Sequence, residues 1–181
     1  MLRNIGNYVL DIDIDATKQA FINMPPDVQC SCDGCRNYNV AMACVSDDVK
    51  AFMESLGVDI YKASELMIPF ELENGLISYM GFYHICGKII SGARPDNFRE
   101  VHPTEYPYDE TNLIKIGDNF EVGFKNECDL LPDSFAKPCF QMDIFADLPW
   151  VIERGDDPGY YPYETEKTGL VSRIKALFKR H

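Results

Sequence analysis

The alternation of apolar and polar positions predicts a β-strand close to the start of the chain. Between Tyr8 and Asp15, three apolar residues alternate with three aspartates. A period of two is typical of a strand that buries one face, so the aspartates form its solvated face. Same-face neighbours on a strand lie roughly 6.5–7 Å apart. Three aspartates cannot share one calcium ion at that spacing without a bend, so we favour the solvated face over a calcium site.

Helical patterns follow the predicted strand. Ala16–Asn23 fits a short helix, which the prolines that begin at Pro25 end. Apolar residues recur at three- and four-residue spacing from Tyr38 onward, which predicts a second helical face. Ser46 has the position of an N-cap for a third helix, and Gly57 has the position of its C-terminal stop.

The period shortens to two in the centre of the chain, which predicts an antiparallel sheet. Asn74-Gly75 is a strong hairpin signal and predicts a type I′ turn. Pro69 cannot donate a backbone hydrogen bond, so its strand belongs at a sheet edge. The strands predicted here are Met67–Glu73, Leu76–Phe82 and Tyr83–Ile90.

The second half of the chain predicts one more hairpin, a further strand and a terminal helix. The hairpin turns at Gly117-Asp118-Asn119, and a later strand covers Cys139–Ala146. Residues 92–111 are proline-rich and are interpreted as a structured loop. Residues 169–180 predict a basic amphipathic helix, which we expect to dock on the acidic domain rather than on a membrane surface. The predicted fold class is α+β, with a mainly antiparallel sheet of six or seven strands, two or three helices and one core.

Length and charge narrow the class of protein. With 181 residues and 46% hydrophobic residues, the chain is expected to form a single domain over residues 1–181. Its formal net charge of −12 argues against a nucleic-acid partner and leaves room for a basic protein partner or a metal ion. No apolar run is long enough to span a bilayer, and the first residues lack the apolar core of a signal peptide. We therefore expect a cytoplasmic protein.

A compact cysteine cluster carries the most specific chemistry in the sequence. Cys30, Cys32 and Cys35 lie within six residues, and Gly34 allows the tight turn in which two thiolates converge on one tetrahedral ion. The chain has seven cysteines and no sign of secretion, which favours reduced thiols and metal ligation over disulfides. Arg36 can offset the negative charge of three thiolates. The cluster predicts a zinc site, with iron as the alternative metal.

The fourth ligand must come from elsewhere in the chain. His84 is the first choice, because an imidazole completes a structural zinc site; the alternative is a histidine that only bonds a neighbouring strand or loop. Cys86 and His102 are the other candidates. Cys44 follows Cys35 by nine residues, about 13 Å along a continuous helix, which excludes it. The remaining thiols, interpreted as core or surface cysteines, are Cys128 and Cys139.

The sequence is compatible with three functional classes. The first is a metal-binding domain in which the metal is structural. The second is a metalloenzyme or a thiol redox protein that uses the same cysteines, although the cluster does not follow the βαβ pattern of common redox motifs. The third is an acidic immunity-like or inhibitor-like protein that binds a basic partner. The sequence lacks the nucleotide-binding motifs and the common hydrolase motifs. Acidic residues flank His102, which we interpret as a solvated loop residue rather than as a general base.

Three short motifs together resemble a group of bacterial proteins with no assigned function. They are Cys-x-Cys-x-x-Cys-x-Asn-Tyr from Cys30 to Tyr38, Tyr83-His84-x-x-Gly87, and Leu148-Pro149-Trp150. The resemblance covers most of the chain. It implies that the cysteine loop and the histidine segment belong together, which favours His84 as a ligand, and it implies no activity.

Overall fold

The computed structural model describes residues 1–25, 32–93 and 112–153, without the side chains of residues 68 and 69. These residues contain three helices and seven strands. In chain order they are β1 Leu2–Ile5, β2 Tyr8–Ile12, α1 Ile14–Asn23, α2 Asp33–Met42, α3 Asp47–Ser55, β3 Glu65–Glu71, β4 Leu76–Ser91, β5 Ile114–Gly117, β6 Phe120–Lys125 and β7 Cys139–Pro149. The fold class is α+β, as the hydrophobic pattern predicts.

The 16-residue strand β4 is the centre of the sheet. Along one side it pairs with β7 over eleven consecutive residues, and β7 continues to β6 and β5. Along the other side, its first half pairs with β3 and its last residues pair with β2, which continues to β1. All of these pairings are antiparallel. Since β3 pairs with β4 alone, Pro69 lies in an edge strand, as predicted.

The start of α1 fills the break between β2 and β3. The backbone N–H of Cys86, in the part of β4 that pairs with neither β2 nor β3, donates to Thr17 Oγ1 at 3.0 Å, and its carbonyl accepts from the N–H of Asp13 at 2.9 Å. Thr17 is fully buried and donates to the Asp13 carbonyl at 2.7 Å. The helix therefore satisfies strand backbone groups that would otherwise be buried without partners.

The end of α1 and both ends of α3 agree with the local sequence signals, whereas α2 begins at Asp33, inside the cysteine cluster, rather than at Tyr38. Asn23 ends α1 before the prolines, and Ser46 caps α3 by accepting from the Val49 N–H. Gly57 has a φ of +78°, the left-handed conformation expected after a helix end. All buried hydrophobic residues of the described ranges except Phe82 belong to one cluster.

The first strand prediction was partly wrong. The extended run ends at Ile12, because Asp13 Oδ1 accepts from the Ala16 N–H at 3.0 Å and caps α1. The helix cap therefore ends the strand, although the alternating pattern continues beyond it. In addition, β1 was not predicted. It pairs with β2 across Gly6 and the residue after it, and Gly6 has the positive φ that a two-residue hairpin loop requires.

The central hairpin differs from prediction in its turn and in its length. The Gly75 N–H donates to the Leu72 carbonyl at 2.9 Å, and Gly75 has a φ of +79° while Asn74 keeps a negative φ. This is a type I turn followed by a left-handed glycine rather than the type I′ turn that we expected. The two strands predicted after the turn are one continuous strand, β4.

Several predictions fall outside the described residues. These are most of the loop at 92–111 and the basic helix at 169–180. No helix in the described ranges combines the length and the apolar character needed to cross a membrane.

Candidate functional site

Cys32 and Cys35 lie at the start of α2. Cys32 is the N-cap residue in an extended conformation, and its carbonyl accepts the first helical hydrogen bond from the Arg36 N–H at 3.1 Å. Cys35 lies in the first turn and is 3% exposed, whereas Cys32 is half-buried. The Cys32 side chain makes no capping hydrogen bond to the helix. Both thiols are thus placed at the start of α2, close to the positive end of the helix dipole.

The turn that carries these thiols is bonded directly to the sheet. The Tyr79 hydroxyl on β4 donates to the carbonyl of Gly34, between the two cysteines, at 3.3 Å. The same hydroxyl accepts from Asn37 Nδ2 at 2.9 Å. Tyr79 and Asn37 are fully buried, so the start of α2 has a fixed position on β4.

Asn37 also links α2 to the end of β7. Its Nδ2 donates to the Pro149 carbonyl at 3.0 Å, and its Oδ1 accepts from the Val151 N–H at 2.7 Å. In the next position, the Tyr38 and Tyr83 hydroxyls form a buried hydrogen bond of 2.7 Å. The three motifs of the sequence resemblance are therefore joined by side-chain hydrogen bonds in this fold.

His84 lies on the opposite face of β4 from these contacts. Tyr79 and Tyr83 both reach the α2 side, and side chains alternate along a strand, so His84 points the other way. His84 is fully buried, and its Nδ1 lies 3.0 Å from the Ser64 Oγ. Its ring packs edge-on against Phe82 and Phe135 at centroid distances of 5.6 Å.

This environment keeps His84 neutral. Burial lowers the pKa of His84 from 6.5 to about 4, although the backbone and charge of Asp129 and the Gln141 side chain act in the opposite direction. The positive charge of Lys125 lowers this pKa further. Nε2 makes no hydrogen bond to the described residues. The arrangement agrees with the alternative stated above, a histidine bonded to a neighbouring segment.

The structure brings two of the predicted ligands together. Cys32 and Cys35 share one turn, but no group of three histidine, cysteine or acidic side chains suited to a metal occurs within residues 1–25, 32–93 and 112–153. His84 does not join the two thiols. Cys30 and His102 lie outside the described residues. The metal site therefore stays a prediction.

A second group of thiols lies on the His84 side of the sheet. Cys86 on β4 is directly opposite Cys139 on β7, and Cys139 Sγ lies 3.8 Å from Cys128 Sγ. All three are reduced. Burial raises the pKa of Cys128 to about 12, with a further contribution from Cys139, and burial also raises the pKa of Cys86. This proximity is not apparent in the sequence, because the three cysteines follow no motif and the register of β4 and β7 brings Cys86 to Cys139.

The aspartates of the predicted acidic strand have separate roles. Asp11 remains in β2, Asp13 caps α1 and Asp15 lies in the first helical turn. They line one side of an open groove of about 710 Å³, whose other side includes Lys88 and Lys137. Because both acidic and basic side chains line this groove, its charge does not indicate a specific ligand.

Comparison with protein-family models, curated proteins and solved structures finds no match for this chain. The resemblance to a bacterial protein group therefore stays a prediction. No matching protein indicates a function for this chain.

Proposed function

We propose that this protein is a metal-binding domain that holds zinc, or iron as the alternative, through Cys30, Cys32 and Cys35. The observation that carries the proposal is the position of Cys32 and Cys35 at the N-terminus of α2. Two thiols in one helix-starting turn are the usual half of a structural zinc site. The metal would connect the segment before α2 to the sheet through the turn that Tyr79 holds.

The three thiolates supply most of the donor set, and the chain's own residues prepare them. Because Cys35 is buried, its side chain would exclude water from one side of the ion. Arg36 lies beside the turn, but its guanidinium bonds Asp33 at 2.9 Å, so part of its charge is already balanced. A bound zinc ion would supply folding free energy there, because the unfolded chain has no preformed site.

The fourth ligand is the open part of the proposal. The hydrogen-bonded position of His84 on the far face of β4 gives no support for its role as a ligand. His102, which the sequence also offers, is the remaining histidine candidate. His84→Asn and His102→Asn variants, compared for zinc affinity, would separate the two. We expect the larger loss of affinity for His102→Asn.

Cys32→Ser provides the sharpest test, because it separates the metal from the fold. Serine is a preferred N-cap residue, so this substitution is expected to leave the metal-free helix as stable as before or slightly more stable. It removes a strong zinc ligand at the same time. The experiment measures thermal unfolding of the reduced, full-length protein with and without added zinc. Cys44→Ser is the matched control, since Cys44 is an exposed thiol that follows α2.

The expected result is a zinc-dependent rise in the melting temperature for the parent protein and for Cys44→Ser. Cys32→Ser should lose most of that rise while its metal-free melting temperature is unchanged or higher. If zinc has no effect on the parent protein, or if Cys32→Ser keeps the full effect, the proposal is wrong. A Cys32–Cys35 disulfide in the protein purified without reductant would instead favour the thiol redox alternative.

A further inference from the structure

The loop after β6 returns to the sheet and places two thiols in contact. Cys128 follows β6 by three residues, and Cys139 is the first residue of β7. Their Sγ atoms are 3.8 Å apart, and Cys128 Sγ is 3.6 Å from the Cys139 carbonyl oxygen. Both side chains are half-buried, so each is partly accessible from solution.

The neighbours of Cys128 hold it in that position. The Asp129 N–H donates to the Gln141 Oε1 at 2.7 Å, and the Asp129 carboxylate bonds the Lys125 ammonium at 2.5 Å. Lys125 and Gln141 are also paired in the β6–β7 register. The two sulfur atoms are therefore preorganised by contacts on both sides of the loop, and an intramolecular reaction between them has a low entropic cost.

We propose that Cys128 and Cys139 are a redox modification site, which a small disulfide of the glutathione type converts into an intramolecular disulfide. One thiolate attacks the small disulfide, forms a mixed disulfide and releases one small thiol. The second cysteine loses its proton and attacks the protein-bound sulfur, which releases the second small thiol. Two electrons pass from the protein thiols to the small disulfide. The sulfur atoms must approach by about 1.8 Å to reach the bond length of about 2.05 Å.

This reaction should be slow at neutral pH and faster in alkaline solution. Burial, with a further contribution from Cys139, raises the pKa of Cys128 to about 12, so little of its reactive thiolate is present at neutral pH. Lys125 acts in the opposite direction, and Asp129 adds to the increase. The third nearby thiol, Cys86, faces Cys139 across the strand pair and is the competing partner.

The test is peptide mapping of the full-length protein after treatment with oxidised glutathione at several pH values. We expect a product lighter by two hydrogen atoms, with Cys128 linked to Cys139, whose rate of formation rises with pH. Cys139→Ser should prevent this cross-link, and Cys44→Ser, which removes an exposed thiol, should not change it. A Cys86–Cys139 cross-link would overturn the proposal, as would glutathione adducts on other cysteines with Cys128 and Cys139 unmodified. The mapping of the unsubstituted protein decides between these results even where a variant fails to fold.

Discussion

Acidification should destabilise the protein through His84 in a defined pH window. Burial lowers the folded-state pKa of His84 to about 4, while an unfolded chain has the ordinary value of 6.5. Above both values, the imidazole is neutral in the folded and the unfolded protein. As the pH falls from 6.5 towards 4, the unfolded chain binds a proton that the folded protein excludes, so folding stability decreases.

The size of this effect follows from the two pKa values. Their difference corresponds to at most about 3 kcal/mol, and the loss between about pH 8 and about pH 5 is about 2 kcal/mol. The full effect requires that His84 stays buried, and its exposure is 0%. Because a domain is only marginally stable, a change of this size is readily measured.

The assay is urea unfolding of the parent protein and of His84→Asn across this pH range. Asparagine keeps a polar group beside Ser64 and does not titrate, so the difference between the two curves isolates His84. The free energy of unfolding of the parent should fall by about 2 kcal/mol more than that of the variant between about pH 8 and about pH 5. Cys44→Ser, which changes an exposed thiol away from His84, is the control and should run parallel to the parent. Parallel curves for the parent and His84→Asn would refute the reasoning.

Two further predictions concern the buried hydrogen bonds between α2 and the sheet and the close backbone contact between β2 and β4. Asn37→Ala should lower the free energy of unfolding by about 3 kcal/mol in urea titrations, because it removes the hydrogen bonds that the buried Asn37 amide makes to Tyr79, Pro149 and Val151; a loss below about 1 kcal/mol would show that water replaces the amide. Gly87→Ala should cost about 3 kcal/mol or more, since Gly87 has a φ of +143° and an added Cβ would collide with the β2 backbone. Gly75→Ala is its control, because Gly75 also has a positive φ but faces open space, and it should cost only about 1 kcal/mol. Equal losses for the two glycines would contradict the steric argument.

Local signals predicted most of the fold. Ser46 and Gly57 mark the ends of a helix through hydrogen bonds and dihedral angles within a few residues, and the structure confirms both. Pro69 predicts an edge strand through its missing N–H, independent of the remaining chain. The turn at Gly75 was predicted in place but not in type, because the same two residues fit more than one hairpin geometry.

The site was harder to predict, because its contacts depend on long-range register. In the sequence, Asn37 is only one position of a motif. In the fold, its side chain forms hydrogen bonds with residues 42 and 112 positions further along the chain. Whether His84 faces the cysteines depends on a shift of one residue along β4, which reverses every side chain. The Cys128–Cys139 contact follows from the β6–β7 register and from the return of the loop, and neither leaves a signal in the sequence.

The central claim is that the cysteine cluster binds a metal ion. X-ray absorption spectroscopy at the absorption edge of the metal tests this claim most directly. The sample is the reduced, purified protein, with the metal content determined on the same material. We predict one zinc ion per chain with three sulfur neighbours at about 2.3 Å, and one sulfur fewer in Cys32→Ser. A protein without stoichiometric metal, or a bound ion without sulfur neighbours, would contradict the claim.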